Sequence, residues 1–152
     1  HPEPRVLDWQ RRMARAFGLP VIWGTDYRLN GRSLSVARDA GIPAIYAEYH
    51  GGGGCDRAGV EAYVAGCLNV LGLTGVIDDS PAPPNRTPFV VEDDRPNAGH
   101  MQINHPAPIE GFFEPAVELG QTIRQGDLFG TVSDIRGDDV RRVTASQTGL
   151  VL

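Results

Sequence analysis

The sequence predicts an α/β layer followed by a small all-β domain, and three observations carry that prediction. Up to residue 77, apolar side chains recur every three or four positions in stretches separated by short apolar runs. The segment 78–88, DDSPAPPNRTP, is a proline-rich linker where that period ends. From residue 89 to 152, short apolar runs alternate with turn residues, and glycine recurs at 111, 120, 126, 130, 137 and 149.

The elements follow in order. Val6, Trp9, Met13 and Phe17 fall on one helical face, with Arg11, Arg12 and Arg15 elsewhere on the wheel; Gly18 is a natural C-terminal cap and Pro20 follows it. Val21-Ile22-Trp23 reads as a buried strand, and Asn30-Gly31 as a turn. Ser33 is placed to cap a helix running to about Ala40, stopped by Gly41 and Pro43. Ala44-Ile45-Tyr46-Ala47 reads as a second buried strand that ends at Glu48. Four glycines, Gly51 to Gly54, follow. Asp56 is a suitable N-cap for a long helix whose one face carries Val60, Tyr63, Val64, Cys67, Leu68 and Leu71. This alternation of helices and strands is the α/β pattern. The apolar runs expected to form the β domain are 89–92, 100–104, 109–113, 128–133, 140–144 and 149–152.

Composition excludes several classes of function. The 152 residues include 19 acidic and 14 basic side chains, a net charge of −5, which opposes a nucleic-acid-binding face. Every basic residue is arginine, so Schiff-base chemistry and biotinyl or lipoyl attachment have no lysine to use. No apolar run is long enough to span a membrane, and the N-terminal stretch carries no signal-peptide core, so a cytoplasmic location without membrane partners is expected. Cys55 and Cys67 lack CxxC spacing and read as reduced thiols. Asn85-Arg86-Thr87 matches a glycosylation sequon but reads as chance without a secretory signal.

Among candidate chemical residues Glu48 stands first. A carboxylate at the C-terminal end of a strand, before a glycine-rich loop and a helix, sits where α/β sheets bind ligands. The competing reading is an exposed glutamate accepting hydrogen bonds from the N–H groups of the next helix. The glycine run lacks GxxxxGK[ST], so it reads as flexible backbone beside a site rather than a phosphate loop. His50 is a substrate contact or a loop histidine. A Cys55 nucleophile with His50 as base has nothing to orient it. None of His1, His50, His100 and His105 stands in HxxH, HExxH or HxxE spacing, so no zinc is expected to be bound by this chain alone.

Ala16-Phe17-Gly18-Leu19-Pro20, the run Ala40 to Glu48 with its glycine loop, Cys67 to Leu73, and the glycine-punctuated Gly111 to Leu152 together resemble the C-terminal part of the succinylglutamate desuccinylase/aspartoacylase family. The resemblance implies a partial zinc-carboxypeptidase-like α/β layer followed by a barrel-sandwich-like β domain. It implies a zinc-dependent amidohydrolase acting on a small N-acyl amino acid, with Glu48 as general base. Arg38, ten residues before Glu48, is the candidate for binding the substrate carboxylate, and His50 a second contact. The family's HxxE and later histidine find no counterpart here. Zinc is thus expected in the complete enzyme only, and self-association or a missing N-terminal half is expected of this chain. The alternative is a non-catalytic binding or regulatory remnant of the same fold.

Overall fold

The structure is a computed structural model that describes residues 1–49, 53–99 and 105–152. Among the described residues there are three helices and seven short strands, divided into two compact units that part at Gly99. The first unit begins with α1, Pro4–Phe17. Pro4 opens the helix, the Glu3 carboxylate accepts from the Arg5 and Val6 amides at 3.2 and 2.9 Å, and Gly18 closes it at φ 83°. Strand β1, Val21–Gly24, follows, then α2, Ser33–Asp39, and α3, Arg57–Leu73. The Asp56 carboxylate caps α3 by accepting from the Gly59 amide at 2.9 Å. Ser33 does not cap α2: Arg32 occupies the cap position, and the Ser35 hydroxyl accepts from the Arg32 amide at 3.1 Å.

Strand β2, Phe89–Glu92, belongs to this first unit. It pairs parallel with β1, Val21 opposite Phe89 and Gly24 opposite Glu92. The unit therefore extends past the proline-rich segment, because the run at 89–92 finds its ladder partner in β1 rather than among the later strands. Arg11 of α1 grips Glu92 with two hydrogen bonds, of 2.8 and 2.5 Å, tying helix to sheet.

Two sequence expectations in this unit are not met. Ala44–Glu48 forms no strand, because no backbone among the described residues offers it a ladder; only the Gln10 side-chain amide reaches it, donating to the Ala44 carbonyl at 2.9 Å. The apolar face expected of α3 packs only in part: Tyr63 meets Phe17 edge-on and Leu68 is half-buried. Val60, Val64, Cys67 and Leu71 are exposed, whereas Gly59, Gly66 and Asn69 are buried. The reason is close approach. The ring of Phe17 lies so near Gly66 that a methyl there would meet it at 2.8 Å, and glycine brings the helices together more tightly than a larger apolar residue.

The second unit is all β in its regular structure. Strands β3, Phe112–Pro115, β5, Leu128–Ser133, and β6, Val140–Thr144, form an antiparallel sheet in the order β3-β5-β6. Strands β4, Thr122–Ile123, and β7, Gly149–Leu150, form a second antiparallel pair. Neither sheet closes into a barrel. Ile123, Ala145 and Val151 form the core, flanked by Val117 and Phe129. No helix among the described residues is long and apolar enough to cross a membrane.

Candidate functional site

The candidate site lies along the segment between α2 and α3, built by residues that α1 and α3 hold in place. Glu48 is exposed at the end of the Ala44–Ala47 run. Glu48 lies close enough to the Tyr46 hydroxyl to raise the Tyr46 pKa above its ordinary value. The next support is Tyr63 of α3. Its ring packs edge-on against Phe17, centroids 5.4 Å apart, and against Tyr49 at 6.0 Å. The Tyr63 hydroxyl is buried without a hydrogen-bond partner among the described residues. Burial first, and then the Glu48 charge, push its pKa up. Tyr49 in turn reaches the Asp56 carboxylate at 3.3 Å, so the segment is anchored on the N-terminus of α3.

This arrangement bears on the two readings of Glu48. The capping duty at α3 is carried by Asp56, which accepts from Gly59. Glu48 is instead exposed, near the Tyr46 hydroxyl and near enough to the buried Tyr63 phenol for its charge to act on it.

Arg38, the other described candidate, is engaged with its own loop. Arg38 donates to the Tyr27 carbonyl at 2.6 Å, the Leu29 carbonyl at 3.3 Å and Asn30 Oδ1 at 2.9 Å, and it pairs with Asp39 at 2.7 Å. Its side chain is only 18% exposed, so its donors are engaged in tying α2 to the preceding loop. His50 lies outside the described residues, as do Gly51 and Gly52 of the glycine loop. His1 is engaged at both ring nitrogens, by the Glu3 amide at 3.0 Å and against the Arg38 carbonyl at 3.3 Å.

Two groups escaped the sequence reading. Arg32 lies close enough for its charge to act on Tyr46, lowering the phenol's pKa against the effect of Glu48. Asp26, just past β1, is 5% exposed and accepts from the Arg28 amide at 3.0 Å, Arg28 Nε at 2.7 Å and the Asn97 amide at 3.0 Å. It binds together the loops that leave the C-terminal ends of β1 and β2. An acidic residue directly after an apolar strand was the only local signal for it.

The zinc implied by the resemblance does not fit these residues. Among the described residues, no three His, Cys, Asp or Glu side chains converge as a metal site would require.

No protein-family model matches the sequence, and comparison with curated proteins finds no match. Solved structures do share the fold. The product-bound ectoine utilization protein of Ruegeria pomeroyi superposes with a TM-score of 0.81 at 19% identity, over 100% of this chain and 45% of that one. A succinylglutamate desuccinylase/aspartoacylase from Rhodobacter sphaeroides gives 0.77 at 23% identity, over 99% of this chain and 44% of that one. A succinylglutamate desuccinylase from a Silicibacter species gives 0.74 at 19% identity, over 99% and 44%. The chain thus has the fold of the C-terminal portion expected from the resemblance, and it spans less than half the length of the proteins it matches.

Proposed function

We propose that this chain is the C-terminal portion of a deacylase that hydrolyses the amide of a small N-acyl amino acid, with Glu48 as its general base. The observation that carries this reading is the setting of Glu48: it lies close enough to the Tyr46 and Tyr63 phenols to act on both, while the neighbouring helix is capped by another residue. The shared fold with desuccinylase and aspartoacylase structures supports it. In the reaction, Glu48 accepts a proton from the water that attacks the acyl carbonyl. A C–O bond forms, the C–N bond then breaks, and the proton passes to the departing amine nitrogen. Tyr46 orients the carboxylate. His50, two residues beyond it, is the proposed substrate contact, and Arg38 acts by holding the 27–30 loop in place. Any zinc would be held by residues other than the described ones. The finer reading of residues 105–152 as barrel-sandwich-like rests on two small sheets around Ile123, Ala145 and Val151. A cytoplasmic setting is supported by two free, exposed thiols.

The alternative is a non-catalytic binding or regulatory remnant of the same fold. One assay separates the two. The chain assembled with the rest of the fold and supplied with zinc is presented with N-acetyl and N-succinyl amino acids, and the released amine is measured. Release from at least one substrate supports the deacylase; release from none, with zinc bound, establishes the remnant.

A further inference from the structure

We infer that a groove on the second unit, formed by the 105–108 segment and strand β6, binds a small organic monocarboxylate by its carboxylate head. The groove belongs wholly to the β unit, so it owes nothing to the role of Glu48.

The groove is open, with a volume of about 220 Å³, and its lining includes His105, Pro106 and Pro108 from one segment and Arg142, Thr144 and Ser146 from the other. Alternation along β6 places Arg142 and Thr144 on one side. Ser146 continues the alternation, because the intervening Ala145 is turned into the core and is 4% exposed. The backbone of Ala145 is held at both ends of the residue. Its amide donates to the Asp127 carbonyl at 2.9 Å, and its carbonyl accepts from the Gly126 amide at 2.9 Å. Ser146 is therefore presented from fixed backbone.

The imidazole of His105 is fixed as well. It stacks flat on Phe129, with centroids 4.9 Å and planes 7° apart, and Phe129 stacks in turn on Phe113 at 6.0 Å. His105 Nε2 accepts from the Ser146 amide at 3.2 Å. A ring nitrogen that accepts carries no proton, so this imidazole is neutral and its hydrogen sits on Nδ1. That Nδ1–H donor has no partner among the described residues. The same geometry argues against a nucleophile and base pair. The Ser146 hydroxyl lies 3.2 Å from Nε2, but the lone pair it would need is taken by the amide, and no described carboxylate orients the ring.

Arg142 supplies the charge. It is exposed and makes no ion pair among the described residues, whereas Arg136 and Arg141 of the same unit are paired with Asp138 and Asp139. No described Asp or Glu lines the groove. A guanidinium, an imidazole N–H and two hydroxyls without a competing carboxylate call for an oxyanion. The single cation decides which one. One guanidinium fork matches one carboxylate in charge and shape, while a phosphate near its dianionic form would keep uncompensated charge beside a neutral imidazole. Pro106 and Pro108 offer rigid apolar surface to the body that carries the carboxylate.

The test titrates the whole chain with phenylacetate, with phenylacetamide as its uncharged counterpart and inorganic phosphate as the competing anion. The NMR signals of the Ser146 amide and the Arg142 Nε–H are followed. Phenylacetate is expected to shift both saturably, with a dissociation constant of about 1–10 mM, and the amide and phosphate to bind at least about tenfold more weakly. Arg142→Gln is expected to weaken phenylacetate binding about tenfold, and Thr144→Val, which removes one donor at nearly constant shape, about threefold. Arg124→Gln, outside the groove, is expected to leave binding unchanged. Unmoved signals from Ile123 and Val151 identify the variants that keep the core. The inference is overturned if phenylacetate does not saturate, if phenylacetamide or phosphate binds at least as tightly, or if either groove variant with an intact core binds phenylacetate as the parent does.

Discussion

Asp26 shows at the scale of one residue what a strand sequence does not reveal. Two of its hydrogen bonds come from Arg28, two positions on, but the third comes from Asn97, which is 71 residues away in sequence. Arg28 first, and then these backbone amides, hold its carboxyl well below the ordinary 3.8, at about 2. Asp93 is held equally low by Arg95. The sign of the linkage follows. A carboxylate whose pKa is depressed on folding contributes stability that is fully present above its unfolded value and lost as pH falls through the folded one. Melting temperature is therefore expected to hold from neutral pH to about pH 4 and to fall between about pH 4 and pH 2. Asp26→Asn is expected to lower the melting temperature at pH 7 and to flatten that acid decline. An unchanged pH profile in the variant would mean that Asp26 does not carry the linkage.

At the scale of elements, caps were more legible than faces. Gly18 and Asp56 act as the sequence indicated, because capping is decided by neighbours within a few residues. Which face of α3 packs was not legible. Apolar spacing pointed to Val60, Tyr63, Val64, Cys67, Leu68 and Leu71; of these Tyr63 packs on Phe17, while Val60, Val64, Cys67 and Leu71 are exposed and α1 meets α3 at Gly66, where the absence of a side chain decides the fit. The Ala44–Ala47 run failed to form a strand for a related reason: a ladder needs a second backbone, and local propensity cannot supply one. The Gly66 contact gives a direct test. Alanine favours a helix over glycine by roughly 1 kcal/mol. The added methyl would nevertheless meet Phe17 ring atoms and its carbonyl oxygen at 2.8 Å. Overpacking of this kind costs about 1–3 kcal/mol, so Gly66→Ala is expected to be net neutral to destabilising by up to about 2 kcal/mol in urea unfolding. A gain near the full helix-propensity value would show that α1 and α3 do not approach as closely as described.

At the scale of the whole molecule, fold class was legible and the partition of residues between units less so. The loss of helical period marked a change near Asp78, but β2 returns to pair with β1, and only a long-range ladder assigns it to the first unit. Glu48 is a candidate by its place before the glycine loop, although the strand expected to end at it does not form. Tyr46 is its neighbour in sequence, whereas Tyr63 on α3 and Arg32 at the start of α2 come near only in the fold. The central claim is that Glu48 transfers a proton during amide hydrolysis. The most direct measurement is the turnover of Glu48→Gln in the assembled, zinc-loaded enzyme, alongside its zinc content, substrate affinity and melting temperature. Glutamine keeps size and hydrogen bonding but cannot accept the proton. The expected result is turnover lower by about 10²–10⁴-fold with zinc content, affinity and melting temperature nearly unchanged. Near-parental turnover in a fully zinc-loaded variant would contradict the account and remove Glu48 from the chemistry.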